Sequence, residues 1–383
     1  MTPKQILNLI PSSIFRELAI ETKVDHQVKL LSGELIFKLI LFSMLNSEKL
    51  SLRVMEKYLE SAQFRSFTGY DITVGKYNSI RDRICSINAD YFEGLFDQLF
   101  KIYSSHLNEE AAVTKLDSTY VSIAAKLFDQ GMTNGSNTDK RFVKYSIGLK
   151  GSLPNNVKVF LDQAYVSEDL ALSEVVNSDE SLAGNIVVFD RGLRSREAFD
   201  GFSSSSKLFV CRGYNKTRIK QSQENAITEK PLGATVTLHS DTSGYLISKY
   251  EQKSVHKYRV IRGTLDATGE PICFISNMQD EDAYTIAKIY KQRWEIEVFF
   301  KFLKQNLNLN HLVSRTTNGI KVMIYMTLIL AILIIVFKKL NKIGSYKIAK
   351  LQFELQLEKD IIKAIVELCG GDPNKAPHLF NSA

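Results

Sequence analysis

Residues 185–192 read NIVVFDRG. Three β-branched residues and a phenylalanine in succession make a short strand buried on both faces, and the strand ends on an acid, Asp190. Working outwards, SEDLALSEVV (167–176) has helical spacing and opens with Ser167 as an N-cap. SREAFDGF (195–202) predicts a short helix, and KLFVCRG (207–213) predicts a second strand. Upstream, VTKLDSTYVSI (113–123), FVKYSIGLK (142–150) and VKVFLDQAYV (157–166) are short and rich in β-branched and aromatic residues. They predict three strands in an antiparallel meander. The order β-β-β-α-β-α-β specifies an α/β fold, a mixed sheet flanked by helices.

Residues 214–278 depart from that order. ATVTLHS (234–240), GYLISKY (244–250), HKYRVIRGTL (256–265) and EPICFISNM (270–278) predict strands, with a hairpin turn at Asp266-Ala267-Thr268-Gly269. This is a β-rich insertion. A long helix is expected from about Asp280 to Leu307, an apolar helix after it, and a charged amphipathic tail from 341 that stops at Gly370-Gly371, with Pro373 beyond. Residues 1–108 read as helical. SGELIFKLILFSMLN (32–46) begins with Ser32 as an N-cap, and SLRVMEKYLES (51–61) and NADYFEGLFDQLFKIYSSHL (88–107) have amphipathic spacing. Between them, ITVGKYNSIRDRI (72–84) predicts a turn at Gly75 and a helix bearing Lys76, Arg81 and Arg83. That helix suits a helix-turn-helix reader of DNA. It equally suits an ordinary solvated face.

Two acids stand out. Asp117 lies among β-branched residues in the first strand, and Asp190 ends a buried strand, where sheet proteins place site residues. Asp190 is also compatible with a turn or cap role, paired with Arg191. Asp162 is a rival at another strand end, and periodicity does not choose between it and Asp190. The predicted long helix carries YKQRWEIEVFFKFLK (290–304). Tyr290, Arg293, Glu297, Lys301 and Lys304 form a narrow polar stripe on an otherwise apolar helix. An i,i+4 Arg293–Glu297 pair contributes only about 0.2–0.5 kcal/mol and accounts for two of the five. A carboxylate flanked by cations suits a metal site acting on a phosphodiester, with the acid on the metal and the cations on the phosphates. Such a site draws on further carboxylates, because Mg²⁺ takes oxygen ligands.

The chain of 383 residues has a formal charge of +7 and 44% apolar residues. This is a globular composition, and its basic balance favours a polyanionic partner, nucleic acid first. Four scattered cysteines and six unclustered histidines offer no CxxC or HExxH site. A GxxxxGK[ST] loop and a GxGxxG after a strand are both missing, which argues against ATP-driven and dinucleotide chemistry. The amino terminus lacks the pattern of a signal peptide. VMIYMTLILAILIIVF (322–337) is almost wholly apolar. It is shorter than the roughly 18–20 residues that a span needs, so a helix buried within the protein is expected and no membrane.

The spacing Tyr290, Arg293, Glu297, Lys304 matches the Y-(2)-R-(3)-E-(6)-K signature of the cut-and-paste DDE transposases of the insertion-sequence-four family. LDST at Asp117 and VVFDRG at Asp190 resemble that family's first two catalytic acids, and Glu297 its third. The resemblance spans roughly residues 25–340. It implies an RNase H-like core in two parts, 109–213 and 279–340, around the insertion at 214–278, with a helical DNA-binding domain at 1–108. It implies Asp117, Asp190 and Glu297 as catalytic metal ligands for Mg²⁺, with Mn²⁺ as a substitute. Tyr290, Arg293 and Lys304 would grip DNA phosphates, and Lys301 could add to that grip. Lys76, Arg81 and Arg83 would contact the element's ends. The implied partners are double-stranded DNA, as terminal inverted repeats and target, and a second copy of the chain on that DNA. The implied location is the cytoplasm, at the nucleoid. Relatives that cleave through a DNA hairpin stack a flipped base on a tryptophan of the insertion. Here the single Trp294 lies in the signature segment, and Tyr214, Tyr245, Tyr250, Tyr258 or Phe274 would have to stand in.

Overall fold

The computed structural model describes residues 1–70, 75–108, 112–124, 131–134, 137–248, 250–309 and 312–380. Seven described helices precede the strands: α1 (Pro3–Leu7), α2 (Ser12–Glu21), α3 (Gly33–Asn46), α4 (Leu52–Leu59), α5 (Ala62–Thr68), α6 (Tyr77–Ser86) and α7 (Asp90–Leu107). Two lie among the strands, α8 (Glu168–Ser178) and α9 (Arg196–Ser204). The later ones include α10 (Ala283–Lys291), α11 (Trp294–Asn306), α12 (Thr317–Leu340) and α13 (Tyr346–Leu368). The strands are β1 (Val113–Ala124), β2 (Met132–Asn134), β3 (Asn137–Lys150), β4 (Leu153–Phe160), β5 (Ile186–Phe189), β6 (Leu208–Arg212), β7 (Ile219–Glu224), β8 (Val236–Ile247), β9 (Lys253–Leu265) and β10 (Pro271–Ser276). By its contacts the chain divides into two units, Glu110–Phe300 and Met1–Glu109 with Lys301–Ala383.

In the sheet unit, β5 lies between β1 and β6 and runs parallel to both. The other pairings are antiparallel, in the order β2-β3-β1-β5-β6-β10-β9-β8-β7, with β4 on β3. This is the expected mixed α/β sheet, with an RNase H-like parallel centre. The apolar run of β5 follows from burial on both faces. Val187 and Phe189 join a core with Phe199, Phe202 and Phe209 under α8 and α9. Val188 points into the other core, with Ile286, Ala287 and Tyr290 of α10.

The region 214–278 continues this same sheet through β7 to β10. The hairpin at Asp266–Gly269 forms as expected, with Gly269 in the left-handed region (φ +70°). ATVTLHS and GYLISKY, expected as two strands, are one strand, β8. Its polar centre is buried because Asp241, fully enclosed, pairs with the nearly enclosed Arg259 of β9. Arg259 also donates to the Met278 carbonyl at 3.1 Å. β7 carries the polar run KQSQE on an exposed edge and gives no alternating apolar signal.

The expected single helix over 280–307 is two. Asp282 caps α10, its side chain accepting from the Thr285 amide. The path then tightens, because the amides of Gln292, Arg293, Glu295 and Ile296 each donate to the carbonyl three residues back. α11 resumes at Trp294. Tyr290 therefore lies on the last turn of α10, and Arg293 in the junction. Ser167 occupies the N-cap of α8 as expected, yet its side chain makes no cap hydrogen bond.

In the helical unit, Ser32 caps α3 by accepting from the Leu35 amide at 3.2 Å. The stretch 322–337 is buried residue by residue within α12. The 18-residue apolar window of that helix is 94% buried inside the protein, which accounts for a sequence apolar on every side. α13 ends at Leu368, followed by Gly370 at φ +79°.

Candidate active site

The site grows from strand register. In the parallel pair β1 and β5, Val113, Thr114 and Lys115 stand opposite Ile186, Val187 and Val188. The same register, continued two residues along, sets Asp117 level with Asp190, just past the carboxyl end of β5. Neighbouring strands lie about 4.8 Å apart, so this register brings the two acids to adjacent positions, near enough for the charge of Asp190 to act on Asp117.

Asp117 is mostly enclosed and accepts from the Ser118 amide at 2.8 Å. Burial pushes its carboxyl up to about 6. The Ser118 amide and Arg293 work against the rise, and the charges of Glu168 and Asp190 add to it. Asp190 accepts a hydrogen bond from the Tyr290 hydroxyl at 3.1 Å. Burial, and then Asp190, hold that phenol well above its ordinary value. Phe274 packs on the Tyr290 ring and fixes it, with centroids 5.1 Å apart.

Arg293 donates to Glu297 at 2.5 Å. Burial opposes its charge, but Glu297, Tyr290 and Asp190 more than offset burial and hold the guanidinium protonated. Its Nε is buried without a hydrogen-bond partner among the described residues. A buried, unsatisfied guanidinium donor is costly unless a ligand oxygen completes it. The start of α11 is tied to β1 by Lys115, which is 2% exposed, pairs with Glu295 at 3.0 Å and donates to the Gly151 carbonyl.

Asp117, Asp190, Tyr290, Arg293 and Glu297 thus act on one another. The three acids are not drawn into one ligand set. Among the described residues no group of three His, Cys, Asp or Glu could hold a metal ion. Glu297 is turned to Arg293, which answers its charge. The donors nevertheless fit a hard divalent cation. All are carboxylates, and Asp117 is enclosed beside like charges and accepts from one amide among the described residues. Asp162 is exposed and accepts from the Ala164 amide, as a cap for the short 3₁₀ turn that follows β4.

Lys301 and Lys304 are exposed on the later part of α11. Lys76 and Arg81 are exposed at α6, with Glu56 3.6 Å from Lys76 and Asp82 2.8 Å from Arg81. Arg83 differs from expectation. It is turned inward, donating to the carbonyls of Leu31 and Val24 and to Asp25, and it serves the packing of this unit. Gly75 lies before α6 as expected, while Ile72–Val74 fall outside the described residues. Of the aromatics weighed as stacking surfaces, Tyr258 and Phe274 are core residues. Tyr214 is exposed with Arg191 over its ring at 5.8 Å, and Tyr245 and Tyr250 lie towards the surface.

Sequence reasoning missed Glu168 and Asp169, the first two residues of α8. Glu168 pairs at 2.5 Å with Lys144, a fully enclosed lysine of β3, and its charge reaches Asp117. The one trace in the sequence was Gly192. A Cβ there would collide with Glu168 Cγ and stand 3.0 Å from Glu168 Cβ.

Residues 116–333 match the family model described as "Transposase DDE domain". The chain is 32% identical over 138 residues to a protein of Geobacillus stearothermophilus named "Probable transposase for insertion sequence element IS5377", covering 36% of this chain and 35% of that one. It is 29% identical over 256 residues to a Synechocystis protein named "Putative transposase for insertion sequence element IS4SA", covering 64% and 65%. The matches therefore span about a third and just under two thirds of those relatives' lengths. With more than half of its residues inside the matched model and its sheet arranged as described, the chain belongs to the transposase DDE domain family.

Proposed function

We propose that this protein is a transposase that cuts DNA strands at the ends of its own insertion sequence and joins them to target DNA. The observation that supports the reading is the register of the parallel strands β1 and β5, which sets Asp117 level with Asp190 just past the end of β5, with the charge of Arg293 reaching both acids from its pair with Glu297. In this reading Asp117, Asp190 and Glu297 hold divalent cations, Mg²⁺ or Mn²⁺ in its place. When bound, these supply the charge that activates water or a 3′-hydroxyl and steadies the leaving oxygen.

The chain's own residues do the rest. The Tyr290 hydroxyl fixes the orientation of the Asp190 carboxylate. Arg293 holds the Glu297 carboxylate by a hydrogen bond, and its Nε, without a partner among the described residues, is ready to donate to a phosphate oxygen. Lys301 and Lys304 extend the positive charge along α11, and exposed Lys76 and Arg81 offer contacts for end DNA. The protein acts as a homodimer on two element ends.

The test is direct. A duplex carrying the inverted repeats that flank the gene is incubated with the native chain in Mg²⁺. Nicked ends that are then joined to a second duplex are expected. Cutting without joining favours a related nuclease, and neither activity refutes the reading. Lys301→Ala and Arg81→Ala should each flatten the salt dependence of end binding by about one unit of slope. Slopes unchanged from native would remove those residues from the DNA contact.

A further inference from the structure

The loop that follows Asp190 is held from the far side by the first turn of α8. Glu168 stands against Gly192, whose missing Cβ leaves the room. The next residue, Asp169, accepts through one oxygen from the amides of Arg194 and Ser195, the latter at 2.8 Å, and lies 3.9 Å from the Arg194 side chain. The turn is itself anchored. Lys144 of β3 pairs with Glu168 and points at the carbonyls of Val166 and Ser167, at 3.5 and 3.4 Å. Tyr120, its cross-strand neighbour on β1, has Lys144 5.4 Å from its ring centroid.

We propose that Glu168 and Asp169, anchored by Lys144, form a clamp that positions the Asp190 loop against β1 and so sets the relation of Asp190 to Asp117. The inference rests on the reading of those two acids as cation ligands. Three features favour a clamp over ordinary packing. Lys144 is fully buried with its ammonium turned to polar groups of this turn, a costly placement that needs full pairing. Gly192 is required by a contact with Glu168 and has no positive φ to explain it. Asp169 takes two consecutive amides of the loop, which fixes backbone instead of side chains. Glu168 and Asp169 are therefore positioning residues, acting through the loop and not on DNA.

The test is Mn²⁺ binding to the full chain, followed by electron paramagnetic resonance, with melting temperature measured alongside in the absence of metal. Gly192→Ala cannot keep the loop where it is, since Glu168 Cβ and Cγ are fixed by the Lys144 pair. A tenfold or greater loss of Mn²⁺ affinity is expected, with melting within a few degrees of native. Asp169→Ala should give a similar loss by freeing the two amides. If Gly192→Ala does not fold, Asp169→Ala carries the test alone. Native affinity in a folded variant of either kind overturns the clamp. Asp117→Asn is the control. If it binds Mn²⁺ as the native chain does, the cation-site reading fails, independently of the clamp.

Discussion

Asp117→Asn is expected to abolish metal-dependent strand cleavage and, at the same time, to make the protein harder to unfold at pH 7. The loss follows from the proposed role of Asp117 as a cation ligand, since a bound cation supplies several kcal/mol of charge stabilisation, or about a thousandfold or more in rate. The gain follows from linkage. Burial raises the Asp117 carboxyl to about 6, above its value in the unfolded chain. The folded state therefore binds the proton more tightly, and stability falls as pH rises from the unfolded value through 6. At pH 7 the ionised group costs roughly 1–3 kcal/mol, which asparagine removes. Below about pH 4 both forms are neutral and the difference should vanish. Denaturation curves at pH 4 and pH 7 measure this. If the Asp117→Asn protein is less stable than native at pH 7, Asp117 is a structural hydrogen-bonding residue instead.

Arg293→Ala carries the second large effect. This guanidinium answers Glu297 directly and reaches both Asp117 and Asp190. Its loss removes a positive charge that acts on all three carboxylates and, on the proposed reading, a donor to phosphate. Cleavage should drop by about a hundredfold or more, as when one preorganised donor to a developing anion is removed. End binding should weaken with a flatter salt slope. Lys in its place should rescue little, because a point charge does not hold Glu297 and a phosphate together. Glu297→Gln separates the roles. It should bind end DNA at least as well as native and fail to cut. If Arg293→Ala cuts at the native rate, the pair is a structural i,i+4 ion pair and nothing more.

Much of this was legible along the chain, and what was not has a common cause. Asp117 and Asp190 show because an acid inside a β-branched run is uncomfortable unless it serves a site. Asp162 has the same local texture; periodicity does not separate the two, the family resemblance of VVFDRG favours Asp190, and the register between β1 and β5 sets Asp190 level with Asp117 while Asp162 caps a turn. Register is a non-local property. The junction at Gln292–Arg293 holds neither Gly nor Pro, so a helical pattern ran through it unbroken. Asp241, Thr242 and Ser243 interrupt the apolar pattern of β8 because the partner that buries Asp241 is Arg259 on the next strand, a pairing no local pattern carries. Arg83 was expected outside since its helix is charged, yet two carbonyls and Asp25 draw it in. Glu168 and Asp169 read as a favourable first turn of a helix. Their second role needs the loop that only folding brings to them.

The most direct test of the central claim compares two single substitutions. Asp190→Asn and Asp162→Asn each remove one carboxylate at a strand end, and the two acids lie 28 positions apart in the chain. Strand cleavage of end-bearing duplex in Mg²⁺ is measured for both, with folding checked by melting. Asp162 caps a turn, and an asparagine keeps the capping oxygen, so cutting at the native rate is expected. Asp190→Asn should retain the Tyr290 contact and the fold and should not cut. Cleavage that survives in Asp190→Asn and is lost in Asp162→Asn would contradict the site described here.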